Sequence, residues 1–481
     1  MDRPRGDIVT LLDLTPRDYQ DNELFPLAAE KTWWLPDDQR RNRPFTTTIQ
    51  RFPFRGPTGY GQRFTFDLKS VNCGDLLFGT VLRINLRHWF DDTTILRLQT
   101  GQYAYQNTAD AWYFANSLGT IILQEATLEV NDQVIERVDG DFLNVFSLLF
   151  QDLNRQYGPA VDGLGRYPFS SLLTTPSNRP YPTTSGELLI PLPFFYQRIK
   201  FAEAFPLLAA KEGSMRINIT LRPFQECVRK LTGTRASCDE TPLAQGFTLH
   251  NDVGPITLDV GVQTGQAPPS FNAIELITYG AHTDGKIRQQ ILRSPFEILH
   301  RKVATFFFDE PLKYATNKTA GNIIQVQLPL EVNHPIEEII WFVRRKGVAN
   351  NNEWTNYSSV LCVEHNPVYA PRQPLLQNAA IQLNGIEIVN TDENWFRQHI
   401  SNAHKGGSAA YDNFIYGYSF SDKPGQHQPS GSVNASKLQS VRLTLDVQQP
   451  ANQDLFEVKV FVLAMSWLRF QNGIVNKMFA D

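Results

Sequence analysis

Strict alternation of apolar and polar positions is the most regular pattern along this chain. In residues 441–447, four aliphatic residues fall on one side of the chain, while arginine, threonine and aspartate occupy the other. The same period of two runs through residues 82–87 and 216–222. Because successive side chains of a strand point to opposite faces, these segments predict half-buried β-strands.

Shorter runs rich in β-branched and aromatic residues extend this prediction over most of the chain. They predict strands at residues 45–49, 63–68, 76–86, 121–130, 188–195, 271–279, 303–308, 322–332, 336–343, 381–383, 415–420 and 458–464. Two hairpins are predicted at Asn131-Asp132 and Asn384-Gly385, since these dipeptides tolerate the positive φ of a tight turn. The run Phe306-Phe307-Phe308 predicts a strand covered on both faces, with contact to another molecule as the alternative.

Helices are few and lie between the strands. A period between three and four predicts one at residues 139–157, a short one interrupted by proline at 202–210, and another from 391 to a point before 406. Asp139 or Asp141 can cap the first of them. Residues 294–297 (Ser-Pro-Phe-Glu) have the pattern of a capping box, which predicts one more helix start.

An internal repeat relates the two halves of the chain. Residues 128–135 and 381–388 show the same strand, turn and strand, and an aromatic residue on the following helix comes eleven residues after each turn asparagine, Phe142 in one copy and Trp395 in the other. Each copy then reaches a strictly alternating strand. Repeated short strands with brief helical connections predict an all-β chain made of a duplicated antiparallel sandwich, rather than a barrel of parallel strands.

The length of 481 residues agrees with two domains. Single hydrophobic cores stop growing at about 250 to 300 residues. We therefore expect an N-terminal arm at residues 1–30, a first sandwich at 31–290 and a second at 291–481, with the junction near residue 290. The 32 Phe and 16 Tyr against 4 Met also favour strands.

The net charge of the chain indicates which kinds of partner it can bind. Lys and Arg number 45 against 49 Asp and Glu, which gives a net charge of −4. The excess of positive charge that favours dense phosphate contact is missing, so we expect no direct binding of nucleic acid. No apolar run of membrane-spanning length and no signal-peptide core occur in the sequence, and folding in a cytosolic compartment is expected.

No set of residues predicts an enzyme, and we expect no catalytic, cofactor-binding or metal-binding residues. His399 and His404 are five residues apart rather than four, and the nine histidines are interpreted as solvated or loop residues. Ser430 lies near His427, but the G-x-S-x-G motif is missing. The four cysteines lack metal-ligand spacing, and we expect them to be buried free thiols. A disulfide between Cys227 and Cys238 is the alternative.

Two kinds of charged cluster are candidates for a binding or catalytic site. Arg344-Arg345-Lys346, with Trp354 nearby, is interpreted as a solvated strand end and loop; contact with a neighbouring subunit or with nucleic acid are the alternatives. The acidic pairs are Asp91-Asp92, Glu337-Glu338 and Asp392-Glu393. Because adjacent residues of a strand face opposite sides, such pairs are not expected to act together as glycosidase carboxylates.

The segment between the strands predicted at 415–420 and 441–447 carries a distinctive set of residues. It contains Tyr418-Ser419-Phe420, Lys423-Pro424 and Gln428-Pro429-Ser430-Gly431, followed by Asn434 and Ser436. This ordered set resembles the C-terminal signature of the major capsid proteins of nucleocytoplasmic large DNA viruses. Residues 128–135, 190–195, 333–341, 383–385 and 467–473 also look like segments of that family, in the family order.

The resemblance implies two tandem eight-stranded jelly rolls and no enzymatic activity. It further implies a homotrimer with a pseudo-hexagonal outline that tiles the icosahedral shell of a virion assembled in the host cytoplasm, with minor capsid proteins and possibly an internal viral membrane as partners. A carbohydrate-binding or carbohydrate-cleaving sandwich is the alternative, since jelly rolls also host lectins and hydrolases.

Overall fold

Antiparallel strands make up most of the molecule, in agreement with the alternation in the sequence. The computed structural model describes residues 45–86, 111–115, 117–150, 187–198, 204–210, 215–232, 248–250, 270–319, 323–359, 373–404, 414–426, 428–449 and 455–478. The arm expected at residues 1–30 and the last part of the helix expected at 139–157 lie outside these residues.

The first half of the chain supplies strands that belong to two large sheets and one small one. The strands are β1 (Phe45–Pro53), β2 (Arg63–Leu68), β3 (Leu76–Asn85), β4 (Ala111–Phe114), β5 (Leu123–Val130), β6 (Gln133–Asp139), β7 (Glu187–Pro191), β8 (Met215–Leu221), β9 (Val228–Thr232), β10 (Thr248–His250) and β11 (Ala273–Thr283). The helices are α1 (Ser70–Cys73), α2 (Leu118–Ile122), α3 (Gly140–Leu149) and α4 (Phe195–Arg198), with 3-10 turns at Leu207–Ala210 and Phe224–Glu226.

Helix α5 (Gly285–Arg293) precedes the strands of the second half. These are β12 (Phe296–Phe308), β13 (Ala315–Thr319), β14 (Ile323–Pro329), β15 (Pro335–Arg345), β16 (Leu376–Leu383), β17 (Ile386–Asp392), β18 (Ile415–Ser419), β19 (Val433–Asn434), β20 (Val441–Gln448), β21 (Phe456–Gln471) and β22 (Ile474–Lys477). Helix α6 (Glu393–His404) follows β17, and 3-10 turns lie at Pro311–Tyr314, Lys346–Asn351 and Ala435–Lys437.

The two halves share one sheet topology. In the first half the sheets have the orders β1-β11-β3-β7 and β2-β8-β5-β6, and in the second half β12-β21-β15-β18 and β14-β20-β16-β17, with β13 added outside β14. Each strand of these two first-half sheets thus has a counterpart in the second half, where β13, β19 and β22 are additional strands. Two antiparallel sheets in this order form a jelly-roll sandwich, so the all-β duplicated fold expected from the sequence is confirmed.

Irregularities in the sheets repeat as well. The pairing of β5 with β6 shifts between Leu128 and Glu129, and that of β16 with β17 shifts at the equivalent place, between Ile381 and Gln382. The turn residues 131, 132, 384 and 385 all have positive φ, as the hairpin prediction requires. Since a bulge fixes the register of a strand, the repeat extends to the orientation of individual side chains.

The hydrophobic core is formed by the apolar face of the alternating strands. In β2, Phe64, Phe66 and Leu68 are buried while the residues between them are exposed. In β20 the four aliphatic residues are buried as expected, but Thr444 on the other face is also buried. Strand β21 is buried on both faces between residues 458 and 465, so its simple alternation predicted too little burial.

The capping-box prediction at residues 294–297 is wrong. Ser294 is the residue at the C-terminal end of α5, and Phe296 begins β12, the 13-residue strand that opens the second half. The N-terminal cap of α5 is Asp284, whose Oδ1 accepts a hydrogen bond from the Ile287 N–H at 2.9 Å. Ser294 therefore ends one helix and does not begin another.

Proline shortens two other predicted elements. The strand expected at 188–195 ends at Pro191, and Phe195 already begins α4. The helix expected at 202–210 is reduced, in its described part, to a 3-10 turn after Pro206. Proline has no N–H to donate, so neither element continues through it.

Two glycines at the starts of helices give a matched test of packing. Gly140 follows the cap Asp139, and Gly285 follows the cap Asp284. A Cβ at Gly140 would lie 2.5 Å from the Leu123 carbonyl oxygen and closer still to that of Thr120, whereas a Cβ at Gly285 would meet nothing within 4 Å. We predict that Gly140→Ala lowers the free energy of unfolding by about 1–3 kcal/mol, while Gly285→Ala raises it by about 0.4–1 kcal/mol. Chemical denaturation of the full chain measures both, and equal stability of the two variants would contradict the packing at Gly140.

Candidate functional site: a buried charged seam between the two halves

The first turn of α3 in the first half is held by cations of the second half. Asp141 Oδ1 accepts a hydrogen bond from Arg344 Nη1 at 2.9 Å, and its Oδ2 accepts one from Lys459 Nζ at 2.7 Å. Arg344 also donates from Nε to Glu457 Oε1 at 2.6 Å, and Lys459 lies 2.5 Å from Asp139 Oδ2. We call these five residues the acid cluster of the seam, the surface where the two halves meet.

Because the cluster is buried, its charged groups shift one another's pKa values strongly. Burial alone would raise the pKa of Asp141, but the charges of Arg344 and Lys459 outweigh it and hold the pKa of that carboxyl well below its usual range. Burial would lower the pKa of Lys459, but the two aspartates beside it raise the pKa above its ordinary value. All three groups are therefore charged at neutral pH, and each depends on the others for compensation.

A second cluster lies further along the seam, around Glu136 of β6. Its carboxylate forms an ion pair with Arg198 of α4 and accepts hydrogen bonds from the Phe195 N–H at 2.8 Å and the Val303 N–H at 3.3 Å. Arg198 in turn donates to the Arg301 carbonyl oxygen at 2.7 Å. Burial is the largest influence and raises the pKa of Glu136 despite the nearby Arg198. Glu136 and Arg198, both of the first half, thus satisfy the Val303 N–H and the Arg301 carbonyl oxygen of the second half.

The family-like signature segment is attached to the same cluster. Arg301 pairs with Glu337 Oε2 at 2.5 Å and donates a further hydrogen bond to the Gln426 carbonyl oxygen. Ser430 Oγ accepts from the Lys423 N–H at 2.8 Å, which closes the loop on itself. A Cβ at Gly431 would lie 2.5 Å from the Phe420 carbonyl oxygen, so the backbone approaches too closely for any larger residue. Ser430 therefore has a structural role, and His427 lies outside the described residues.

The interpretation of residues 344–346 as a solvated strand end is wrong. Arg344 and Arg345 are 3% and 8% exposed. The nearby Trp354 packs on the first half rather than on solvent: its Nε1 donates to the Glu226 carbonyl oxygen at 3.1 Å, and the Arg222 guanidinium lies 4.6 Å from its ring centroid. The partner of this basic and aromatic segment is the other half of the same chain.

Several histidines are also buried, in contrast to the expectation. Burial, with Arg198 and Lys302 nearby, lowers the pKa of His300 to about 3. His404 Nε2 lies 2.9 Å from Glu338 Oε1 in a buried pair. In the part of the chain that the structure describes, no group of three or more His, Cys, Asp or Glu residues could hold a metal ion.

The acidic pair Glu337-Glu338 behaves as its position on a strand predicts. Glu337 pairs with Arg301, and Glu338 pairs with His404 from α6. Both carboxylates are buried and occupied, so they give no support to a carbohydrate-cleaving site. Asp91 and Asp92 lie outside the described residues.

Cys73 and Cys227 are buried free thiols, as expected. Burial is the largest influence on both and raises the pKa of each thiol. Cys238 and Cys362 lie outside the described residues, and because Cys227 is a free thiol, the alternative of a disulfide between Cys227 and Cys238 is not supported.

The residues that hold the seam were missed by sequence reasoning. The sequence predicts Asp141 only as a possible helix cap, and it predicts a strand at residues 458–464 without a role for Lys459. A signal was present at Lys459, which interrupts the apolar run of residues 458–464 and so places a charge in a strand with little other polarity. Glu136 carries no comparable signal, because it stands beside Arg137 in a strand of mixed apolar and charged residues.

We predict a large loss of stability when the acid cluster loses the carboxylate of Asp141. Asp141→Asn leaves Arg344 and Lys459 buried with too little negative charge and should lower the free energy of unfolding by about 3–5 kcal/mol. Asp132→Asn is the matched control, because the Asp132 pair with Arg216 is largely exposed and is worth at most about 1 kcal/mol. Urea denaturation of both variants decides: similar small losses would mean that the seam does not depend on Asp141.

The same substitution gives a test of pH dependence. A carboxyl whose pKa is depressed in the folded state stabilises the fold above its ordinary pKa of 3.8, and this contribution is lost as the pH falls through the folded pKa. The difference in unfolding free energy between the natural chain and Asp141→Asn should be constant from about pH 5 to 8 and should shrink below about pH 4. A difference that grows on acidification would contradict the assignment.

Sequence comparisons cover both halves. The family described as large eukaryotic DNA virus major capsid protein matches residues 303–476, and the family described as major capsid protein N-terminus matches residues 36–250. The major capsid protein of Chrysochromulina ericina virus is 24% identical over 347 residues, which cover 65% of this chain and 53% of that protein. The major capsid protein of Phaeocystis pouchetii virus is 21% identical, with 94% of this chain and 95% of that protein covered. The chain thus spans about half the length of some curated relatives and nearly all of another.

Solved structures show the same fold. The PBCV-1 virus capsid chain matches with a TM-score of 0.64 at 17% identity and covers 94% of this chain and 100% of that one. The Faustovirus major capsid protein matches with a TM-score of 0.56 at 12% identity, covering 97% and 96%. Family matches in both halves, together with the duplicated sandwich and the signature loop, show that the chain belongs to the major capsid protein family of large eukaryotic DNA viruses.

Proposed function

We propose that this chain is the building block of the icosahedral shell of a large double-stranded DNA virus, and that three copies associate into a capsomer with a six-sided outline. The observation that carries the proposal is the duplicated topology: one chain supplies two sandwiches of the same strand order. Three copies supply six, and six similar blocks around one axis fill a hexagonal cell.

The seam gives this proposal its mechanical basis. A shell needs subunits that keep one shape, because neighbouring contacts form only when their surfaces keep a fixed relative position. Asp141 of the first half is held by Arg344 and Lys459 of the second, so sliding one half against the other would leave buried charges unpaired. The two sandwiches therefore act as one rigid body.

We propose the same division of the chain that the sequence predicts, with an arm at residues 1–30 and domains at 31–290 and 291–481. The change of sheet membership between β11 and β12 supports a junction near residue 290. Contact of the arm or of the shell's inner surface with minor capsid proteins, and possibly with an internal viral membrane, belongs to this proposal, as do assembly in the host cytoplasm and a role without catalysis. The net charge of −4 supports a shell that makes no direct contact with nucleic acid.

No helix among the described residues is long and apolar enough to cross a lipid bilayer.

The trimer is tested by size and shape. Light scattering after size-exclusion chromatography should give about three times the chain mass of 54.7 kDa, or about 164 kDa, and negative-stain images should show a hexagonal outline. A monomer that binds polysaccharide would instead favour the carbohydrate-binding alternative.

A further inference from the structure

One histidine is buried where the two halves meet. His300 of β12 is 1% exposed, and its ring lies 5.0 Å from that of Phe195, which belongs to the first half. Its Nδ1 is buried and has no hydrogen-bond partner among the described residues. Buried polar nitrogens are normally paired, so an imidazole left in this state at the seam calls for an explanation.

The groups around this ring are basic. Arg198 reaches the adjacent backbone, since its Nη1 donates to the Arg301 carbonyl oxygen at 2.7 Å. Lys302 lies two residues further along β12 and therefore on the same face as His300. With His334 and Lys477, Lys302 lines a cavity of about 300 Å³ that lies between β6 and β12. Both halves of the chain thus bring positive charge to this part of the seam.

The buried carboxylate of β6 is already occupied. One oxygen of Glu136 binds Arg198 and accepts a hydrogen bond from the Val303 N–H at 3.3 Å. The other oxygen accepts from the Phe195 N–H at 2.8 Å. A proton on the neighbouring imidazole would therefore add a positive charge that Glu136 does not balance.

The remaining charged groups of this region do not supply the missing negative charge. Glu337 of β15 is paired with Arg301 at 2.5 Å. Glu331 lines the cavity but is exposed, so water screens its charge. Arg137 of β6 also lines the cavity and pairs at the surface with Glu125 at 3.3 Å. Protonation of the histidine is thus uncompensated.

This arrangement makes stability depend on pH. Burial is the largest influence, and with the charges of Arg198, Lys302, Lys477 and His334 it lowers the pKa of His300 from 6.5 to about 3. Below about pH 6.5 the unfolded chain therefore binds a proton that the folded chain does not bind. The folded state loses stability as the pH falls through this range, and the loss continues toward the folded pKa.

We propose that His300 is an acid trigger: its protonation in mildly acidic surroundings weakens the contact of β12 with the first half and loosens the two sandwiches of one chain. The cavity beside β12 is large enough for the water that delivers the proton and enters as the contact opens. The effect on a shell rests on the proposed capsomer, whereas the trigger itself belongs to the single chain.

The acid cluster of the seam acts in a different pH range. Arg344 and Lys459 hold the pKa of Asp141 below its usual range, so its contribution is lost only below about pH 4. His300 already lowers stability below about pH 6.5. Between these values the seam keeps its ion pairs and carries the growing cost of the histidine. Mild acid therefore acts at β12, and stronger acid acts at α3.

His300→Gln and His300→Phe test the trigger in the full chain, by urea denaturation at one protein concentration. Both remove the titrating group, and phenylalanine keeps a ring beside Phe195. The unfolding equilibrium constant of the natural chain, divided by that of either variant, should rise about 30-fold from about pH 7.5 to about pH 5. Taking this ratio separates His300 from other histidines such as His399, whose pKa is also lowered by burial. His282→Gln is the control, because His282 is exposed at the end of β11, and its ratio should stay constant.

Backbone deuterium exchange shows where the chain loosens. After correction for the intrinsic pH dependence of exchange, peptides from β6 and β12 should exchange faster at about pH 5 than at about pH 7.5 in the natural chain. The same peptides of His300→Phe should exchange equally at both pH values. A peptide from β20, which lies in the other sheet of the second half, is the internal reference and should not change.

The outcomes separate the trigger from the proposed function. A ratio that stays constant for both His300 variants, or that rises equally for His282→Gln, overturns the trigger. If one variant does not fold, the other variant decides, and unchanged exchange of β6 and β12 in the natural chain counts against the trigger. If the ratio rises as expected and the chain is a monomer at all concentrations, the trigger stands and the capsomer fails.

Discussion

The compensation of Asp141 by Arg344 and Lys459 is the interaction on which the rest of the structure depends. A carboxylate taken out of water is stable only when opposite charges replace the hydration it has lost. Here those charges come from the other half of the chain. The arrangement therefore fixes the position of one sandwich on the other. Apolar packing alone would tolerate small shifts between the two. The two sandwiches are therefore held in one fixed relative position.

Much of the fold could be predicted from the sequence because the sheets are locally consistent. The limits of β2 agree with the alternation at residues 63–68, and both hairpin turns were found from asparagine dipeptides that accept positive φ. The repeat was visible because the same register and turn serve both halves. The prediction from sequence failed where one local pattern is compatible with two structures. Ser294 fits the start of a helix as well as it fits the end of one, and only the preceding cap at Asp284 distinguishes the two.

The seam could not be predicted, because its partners are distant and its charged residues resemble surface residues. Arg344 and Arg345 follow an apolar strand, and a strand end with two arginines is normally solvated. Phe307 gave the opposite error: the triple phenylalanine predicted cover on both faces, yet Phe307 is 53% exposed at the edge strand of its sheet. Burial at these positions is decided by what the other half covers, and local sequence does not contain that information.

The long separation between Asp141 and Lys459, 318 residues along the chain, has a consequence for biosynthesis. While the ribosome is still translating the second half, the acidic end of α3 faces water and lacks its cations. The first sandwich consequently reaches its final form only after the last long strand has left the exit tunnel. Truncated products of premature termination would leave this charged and partly apolar face uncovered.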